Sequence, residues 1–217
     1  MIGLIGCEFS QIVTEAFLKR GHDFISCDLL PCEGNYPDRH LQMDVVKVIK
    51  SRKFDFIGLH PPCTKIALSG NRHYAVDKKR HIERLEAIEW TIKLWELAFD
   101  NADFVYMENP LGVMNKDGRL PKPQLIHPYY FGDAISKKTC LWLKNIPPLK
   151  WTNECNLFEN KTSVDPEWIF YRSKKTKSGY SKYSIFGKMP STNNLENAKS
   201  RSKTLPGIAA AMADQWG

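Results

Sequence analysis

The sequence predicts an α/β protein built on a doubly wound, mostly parallel sheet with a small, loop-rich lobe near the C-terminus. Short apolar runs end abruptly in polar, turn-forming residues, most clearly at 54–59 and 104–107, and such runs are typical of buried parallel strands. They alternate with segments of helical periodicity through the first half of the chain. The 217 residues suffice for one well-packed domain with an appended lobe.

The first predicted unit is a strand, a helix and a second strand. Residues 2–6 form an apolar run that is followed by a polar turn at 7–10. Residues 11–20 carry apolar side chains at helical spacing, and Gly21 supplies a stop. Residues 24–27 are the second strand, which ends in Asp28.

The next unit repeats this alternation. A loop rich in Pro, Gly and Asn at 31–39 precedes a short strand near 41–43 and a helix at 44–50. Residues 54–59 form the next strand, and 77–99 form a long amphipathic helix.

The C-terminal half has a different texture. The strand at 104–107 is followed by a Pro-, His- and aromatic-rich stretch, and 139–143 is predicted to be a strand of an antiparallel edge. Residues 150–203 show no clear periodicity. Residues 205–216 are predicted to form a terminal helix with Pro206 in its first turn.

Composition narrows the classes of function. No apolar run approaches the roughly 20 residues that a membrane-spanning helix needs. The first residues also lack the basic region and apolar core of a secretory signal. We therefore expect a cytoplasmic protein without a membrane partner, whose six cysteines are small buried residues or one reactive thiol rather than disulfides.

The cysteine spacing does not indicate a metal. Cys27 and Cys32 have no second pair to complete a zinc site. The Pro-Cys at Cys63 invites comparison with zinc deaminases, but Ile66 stands where their second cysteine belongs and no H-x-E occurs. We predict no metal.

The positive charge is concentrated in one segment. The chain has a formal charge of +7, and residues 161–203 hold ten Lys or Arg against three acidic residues. Aromatic residues are interleaved there, at Trp168, Phe170, Tyr171, Tyr180, Tyr183 and Phe186. Cations neutralise phosphates and aromatics stack on bases, so the segment suits nucleic acid. The alternative is a solvated insertion whose basic bias is accidental.

The first turn offers an unusual ligand site. The sequence has neither a G-x-G-x-x-G fingerprint nor a P-loop. Instead, the turn after the first strand carries Glu8, and Asp28 closes the second strand, where an acid can bind both hydroxyls of a ribose. Asp44 either meets an adenine amino group or caps the following helix.

Two strand ends carry reactive groups. Cys63 follows the strand at 54–59, and Glu108 follows the strand at 104–107. Because the carboxyl ends of parallel strands share one edge of the sheet, we expect the thiol and the carboxyl group to face the same crevice. The pairing indicates a nucleophile and an acid. The alternatives are an inert cysteine beside a proline turn and the merely polar end of a strand.

The motifs, taken in order, resemble the S-adenosylmethionine-dependent cytosine carbon-5 DNA methyltransferases, especially small phage and prophage members of that family. The resemblance runs through the first turn, the acidic strand end, Pro61-Pro62-Cys63 and Glu108-Asn109-Pro110. It covers essentially the whole chain, including the stretches from Phe131 to Leu143 and from Arg201 to Gly207.

The resemblance implies a Rossmann-like class I methyltransferase fold. Residues 1–149 would be the catalytic and cofactor-binding domain, 150–203 a DNA-recognition lobe, and 204–217 a helix that packs back on the first part. The implied activity is methylation of carbon 5 of a flipped cytosine in DNA, with phage DNA protected against restriction. A monomer is favoured.

The resemblance also assigns residue roles. Cys63 would attack carbon 6 of the cytosine, and Glu108 would stabilise the charge at nitrogen 3. Asn109 would orient the base or the Cys63 loop, and Lys137 stands where the family has an arginine that contacts the base. S-adenosylmethionine would bind at Gly6, Cys7, Glu8, Phe9, Asp28, Leu29, Asp44 and Pro61.

The chain departs from the family pattern in its first turn, which is Gly6-Cys7-Glu8-Phe9-Ser10, and at Thr64, where the family has glutamine. Lys137 lacks the planar fork of an arginine. Two other interpretations stay open. One is a methyltransferase-fold protein that binds nucleic acid without catalysis, and the other is a related enzyme that acts on RNA or installs another group on cytosine.

Overall fold

The computed structural model describes residues 1–153, 161–172, 180–184 and 195–217. Its central sheet has seven strands, namely β1 (Ile2–Gly6), β2 (Asp23–Asp28), β3 (His40–Gln42), β4 (Phe54–Leu59), β5 (Ala102–Pro110), β6 (Gln124–Ile126) and β7 (Thr139–Lys144). Their spatial order is β3-β2-β1-β4-β5-β7-β6. Only β7 runs against its neighbours in this sheet.

The helices of the described residues are α1 (Ile12–Lys19), α2 (Val45–Ser51), α3 (Asn71–Tyr74), α4 (His81–Asn101), α5 (Leu195–Ser202) and α6 (Pro206–Trp216). Helices α2 and α4 pack on one face of the sheet, and α1 and α6 pack on the other. A separate two-stranded antiparallel sheet is formed by β8 (Trp168–Arg172) and β9 (Tyr180–Ser184).

Alternate residues of the strands feed two hydrophobic cores. Ile57 on β4 and Val105 on β5 lie in the core that includes residues of α2 and α4. Their neighbours Phe56 and Tyr106 lie in the opposite core, together with residues of α1 and α6 such as Trp216. This two-sided burial is why the strands read as continuous apolar runs. The predicted Rossmann-like class I methyltransferase fold, with its doubly wound sheet, is confirmed.

Several element boundaries differ from the prediction. The helix predicted from residue 77 begins at His81, with Arg80 as its N-cap residue, and residues 77–80 form turns before it. The predicted antiparallel strand is present as β7, but it is not at the edge of the sheet, because the three-residue strand β6 lies outside it.

The segment 150–203 was expected to lack regular structure, and its described residues contain β8, β9 and α5. Tyr183, part of the predicted aromatic set, lies in β9, whereas Phe186 lies outside the described residues. Within the described part of the chain, no helix has the length and apolarity that a membrane span requires.

Candidate active site

The Cys63 loop is fixed at both ends. It leaves the sheet at the end of β4, where the His60 amide still donates to the Gly6 carbonyl at 2.9 Å. The Cys63 carbonyl accepts hydrogen bonds from the amides of Ile66 and Ala67, at 3.1 and 2.8 Å. The Cys63 side chain is half-buried. The thiol therefore sits on an ordered turn at the carboxyl edge of the sheet.

A buried arginine supports the chain that follows Cys63. Arg84, on α4, is 4% exposed and donates from Nε to the Lys65 carbonyl at 2.6 Å. Its Nη1 donates to the Asn71 side-chain oxygen at 2.8 Å. Helix α4 thus fixes both ends of the segment from Lys65 to Asn71 through the Arg84 guanidinium.

Glu108 and Asn109 lie on β5, which adjoins both β4 and β7. They remain within the strand because they pair with Leu141 and Cys140 of β7. The buried Asn109 side chain donates from Nδ2 to the Pro61 carbonyl at 2.8 Å. Of the two roles predicted for Asn109, this contact supports orientation of the Cys63 loop.

Four charged or titratable side chains influence one another at this edge. Burial and the Glu108 carboxylate raise the pKa of the Cys63 thiol, while Lys137 and Arg201 lower it. Burial likewise raises the pKa of Glu108, and Lys137 lowers it. The predicted residues Cys63, Glu108 and Lys137 are therefore close enough to interact electrostatically.

Arg201 was not among the predicted site residues. It comes from the end of α5, and the Lys137 ammonium donates to its backbone carbonyl at 3.2 Å. The signal in the sequence is the resemblance of the stretch from Arg201 to Gly207 to the methyltransferase family, and this resemblance assigns no role to the arginine. Its charge adds to that of Lys137 in stabilising a thiolate at Cys63.

His60 joins three distant parts of the chain. Its Nε2 is 2.7 Å from the Tyr106 hydroxyl on β5, and its Nδ1 is 3.2 Å from the Thr204 hydroxyl. Burial, together with the charge of Lys137, lowers the pKa of His60 to about 3. The imidazole is therefore neutral at ordinary pH and acts as a connector beneath the Cys63 loop.

Six of the eight predicted cofactor residues lie at the ends of β1 and β2. Cys7 has a φ of 60° in the tight turn after β1. Burial, with contributions from Asp28 and Asp44, raises the pKa of the Cys7 thiol, so both carboxylates lie near it. Asp28 is half-buried, and the adjacent Leu29 side chain is 72% exposed. An acid and an exposed apolar group thus stand side by side.

Glu8 has a structural task that the sequence did not suggest. Its carboxylate accepts hydrogen bonds from the amides of Val13 and Thr14, at 2.7 and 3.2 Å, and from the Thr14 hydroxyl at 2.6 Å. These bonds satisfy donors at the start of α1, where Gln11 provides no side-chain cap. Because the Glu8 carboxylate is occupied by these hydrogen bonds, only the backbone of Glu8 is left to bind a cofactor.

Asp44 and the remaining predicted residues also have contacts of their own. The Asp44 carboxylate caps α2 by accepting from the Val46 amide at 2.9 Å. Gly6 packs so closely that an added Cβ would lie 2.5 Å from Val45. Pro61 is buried and gives its carbonyl to Asn109.

Phe9 lies beneath the C-terminal segment. Its ring is 6% exposed, and the ammonium groups of Lys199 and Lys203 lie 5.6 and 5.8 Å from its centroid. Both lysines also pair with the two oxygens of Glu33, at 2.8 and 2.9 Å. The segment that carries Arg201 is thereby tied to the first turn.

No protein-family model matches the sequence, and no curated protein matches it either. Among solved structures, the chain is similar to an Escherichia coli protein described as a DNA modification methyltransferase encoded within a prophage. The identity is 14%, the TM-score 0.47, and the alignment covers 66% of this chain and 46% of that one.

The chain is also similar to a Spodoptera frugiperda DNMT2 variant, with 18% identity, a TM-score of 0.41, and coverage of 76% of this chain and 57% of that one. A third similar structure is the bifunctional kinase-methyltransferase WbdD, with 15% identity, a TM-score of 0.41, and coverage of 91% and 48%. The chain spans about half the length of these structures. The fold assignment stands on the strand order and pairing of this chain itself.

Proposed function

We propose that this protein transfers a methyl group from S-adenosylmethionine to carbon 5 of cytosine in DNA. The observation that carries the proposal is the convergence of the Cys63 thiol, the Glu108 carboxyl group and two cations at adjacent strand ends. The resemblance to small phage enzymes adds the proposal that the modified DNA is that of a phage and is thereby protected from restriction.

The residues at the first turn fit S-adenosylmethionine. Asp28 offers a half-buried carboxylate at the end of β2, where an acid can bind ribose hydroxyls. Leu29 presents an exposed apolar side chain beside it, suited to the face of an adenine ring. When bound, S-adenosylmethionine supplies the electrophilic methyl group that the activated carbon 5 takes up.

Cys63 and Glu108 act on different atoms of the cytosine ring. The Cys63 thiolate forms a bond to carbon 6 of cytosine, which breaks the aromaticity and makes carbon 5 nucleophilic. A protonated Glu108 donates to nitrogen 3 and stabilises the charge that the addition places there. After methylation, carbon 5 gives its proton to a base, the 5,6 double bond re-forms, and the Cys63 thiolate leaves.

The electrostatics of the site suit this division of labour. Burial raises the pKa of Glu108, which favours the protonated acid that donation to nitrogen 3 requires. Protonation of Glu108 also removes the negative charge that opposes ionisation of Cys63. Lys137 and Arg201 then remain as the cations that stabilise the thiolate.

The test is incubation with DNA that contains 5-fluorocytosine, in the presence of S-adenosylmethionine. Fluorine at carbon 5 blocks the final proton removal, so a covalent protein–DNA adduct should accumulate. We expect Cys63→Ala to abolish the adduct and Cys32→Ala to leave it intact, because Cys32 lies in the loop after β2, where its thiol donates to the nearby Gly34 carbonyl.

The same experiment distinguishes the other interpretations. DNA binding without an adduct would favour a non-catalytic protein and would remove the proposal. Adduct formation on 5-fluorocytosine RNA but not on DNA would redirect it to an RNA-modifying enzyme. Mass analysis of the product from ordinary cytosine shows whether the added group is a methyl.

A further inference from the structure

The β8–β9 hairpin presents a chemically distinctive face. In its register, Phe170 pairs with Lys182 and Arg172 pairs with Tyr180. Residues that pair directly point to the same side of a sheet, as do residues two apart on a strand. One side of the hairpin, called here the aromatic face, therefore carries Trp168, Phe170, Arg172, Tyr180, Lys182 and Ser184.

This face is open and positively charged. Phe170 and Tyr180 are 66% and 55% exposed, and Arg172 and Lys182 are exposed as well. The Lys182 ammonium lies 4.1 Å from the centre of the Trp168 ring, which holds its charge on this side. Neither strand contains an acidic residue. Large rings that are exposed to water are unfavourable, and exposed apolar patches of this kind mark interaction sites.

Backbone hydrogen bonds attach the start of the hairpin to the segment that precedes Lys137. Just before β8, the Glu167 amide donates to the Ala134 carbonyl at 2.8 Å, and the Val164 amide donates to the Tyr129 carbonyl at 2.9 Å. Ala134 lies three residues before Lys137, which acts on Cys63. The hairpin is thus attached to the segment that leads into Lys137.

We propose that the aromatic face binds unpaired bases of single-stranded DNA, so that the protein engages its target in a single strand. The choice of DNA rests on the function proposed above, whereas the preference for unpaired bases rests on the hairpin. Phe170 and Tyr180 supply stacking surfaces, and Arg172 and Lys182 pair with phosphates.

The spacing of the rings favours a single strand. Phe170 and Tyr180 are diagonal neighbours across the two strands, and such neighbours are roughly 7–8 Å apart. Stacked bases in a duplex strand rise by only about 3.4 Å. Bases that stack on these two rings are therefore separated from one another, which an unpaired strand permits more readily than a duplex does.

The composition of the face also disfavours duplex reading. A two-stranded ribbon can enter the major groove, where it distinguishes bases through hydrogen bonds to their edges. The central position of this face is instead the phenyl ring of Phe170, which offers no hydrogen bond. Flat rings serve bases whose faces are accessible, as in single strands.

The test measures binding of the full chain, without cofactor, to a fluorescent dT oligonucleotide, a blunt duplex and an RNA of equal length. We expect the single-stranded DNA to bind most tightly. Phe170→Ala should weaken that binding by about tenfold, whereas Phe170→Tyr, which keeps a ring, should restore it. Tyr171→Ala is the matched control, because Tyr171 is an exposed aromatic on the opposite face of the same strand.

The cations are tested by salt dependence. Arg172→Gln and Lys182→Gln should each reduce the slope of log Kd against log salt by about 0.7, as expected for one lost phosphate contact on a single strand. Unfolding midpoints of all variants establish that the fold is retained. An unchanged slope in both variants would contradict the assignment of phosphate contacts.

Three results would overturn the proposal: duplex binding as tight as single-strand binding, equal losses for Phe170→Ala and Tyr171→Ala, or tighter binding of the RNA than of the DNA. The outcome is separable from the proposed catalysis, because binding is measured without cofactor and can be repeated with Cys63→Ala. Failure of adduct formation with single-strand binding intact would remove the methyltransferase proposal and leave this one standing.

Discussion

Cys63 lies between opposing charges, and this balance decides how reactive its thiol is. Glu108 and the surrounding burial favour the neutral thiol, while Lys137 and Arg201 favour the thiolate. In the proposed reaction, the thiolate is required only when a cytosine occupies the site. A raised pKa in the free protein keeps the thiol from reacting with other electrophiles.

The balance can be measured directly. Glu108→Gln should lower the pKa of Cys63, because it removes a nearby negative charge, and Lys137→Gln should raise it, because it removes a positive one. The measurement is the pH dependence of Cys63 alkylation by iodoacetamide, followed by mass spectrometry of the Cys63 peptide. Alkylation of Cys32 in the same samples is the control. Shifts of the same sign in the two variants would refute the charge arrangement.

His60 should make the fold sensitive to acid. Its pKa is about 3 in the folded state against 6.5 for an ordinary histidine, so the unfolded chain binds a proton first as the pH falls. The stability from neutral His60 is therefore complete above pH 6.5 and is lost as the pH falls toward 3, by about 1.4 kcal/mol per pH unit.

Glu8 has the opposite effect on stability, because burial raises its pKa from 4.5 to about 7. Protonation of Glu8 therefore increases the free energy of unfolding as the pH falls through that range. The informative quantity is thus the difference in unfolding free energy between wild type and His60→Gln, measured with urea from pH 7 to 4. We expect the wild type to lose stability relative to His60→Gln as the pH falls. A difference independent of pH would show that His60 is protonated as easily in the fold as outside it.

The strand-end residues of the site could be predicted from the sequence, but the contacts that distant segments make with them could not. Cys63 and Glu108 follow apolar runs, and the topology of a parallel sheet brings such ends together. Arg201 comes from a segment without a recognisable period, so its position depends on packing alone. The resemblance predicts Glu8 as a cofactor residue, and no distinctive spacing in the sequence reveals the hydrogen bonds of its carboxylate to the start of α1.

At the scale of elements, the apolar runs predicted β1 and β4 with their observed limits, Ile2–Gly6 and Phe54–Leu59. β6 was not predicted, because its three residues lie in the Pro-, His- and aromatic-rich stretch, where no extended apolar run or alternation marks a strand. β8 is a run of consecutive large side chains, Trp-Ile-Phe-Tyr-Arg, that masks the two-residue period of a strand.

The start of α1 depends on one side chain. Glu8→Ala should destabilise the protein by roughly 1–2 kcal/mol, because the amides of Val13 and Thr14 would lose the oxygens that accept their hydrogen bonds. Urea unfolding is measured at pH 6, below the raised pKa of Glu8, so that the cost of burying a charge does not offset the lost hydrogen bonds. Asp38→Ala, at an exposed position, is the control. Equal stability of Glu8→Ala and wild type would show that the cap is dispensable.

At the scale of the whole molecule, the C-terminal segment completes a site that begins near the N-terminus. Glu33 pairs with Lys199 and Lys203, Lys137 holds the Arg201 carbonyl, and Thr204 contacts His60. The terminal helix α6 then buries Met212 and Trp216 in the core beside α1. These contacts close the sheet edge over the first turn.

Glu33→Gln should loosen this closure. Half-exposed ion pairs contribute little individually, so the two pairs together are expected to supply about 1 kcal/mol at low salt. Amide hydrogen exchange in residues 199–204 should accelerate roughly fivefold, and 1 M salt should reduce the difference between variant and wild type. Glu86→Gln on the exposed side of α4 is the comparison. Unchanged exchange in Glu33→Gln would mean that the segment is held by its apolar contacts.

The dependence of Cys63 on Arg201 has a consequence for how the protein is made. The arginine follows the cysteine by about 140 residues, so at roughly 5–20 residues per second it leaves the ribosome some 7–28 s later. During that interval the nascent chain carries Cys63 without one of the two cations that favour its ionised form. The pKa of Cys63 therefore reaches its folded-state value only after Arg201 has been synthesised and has packed near the thiol.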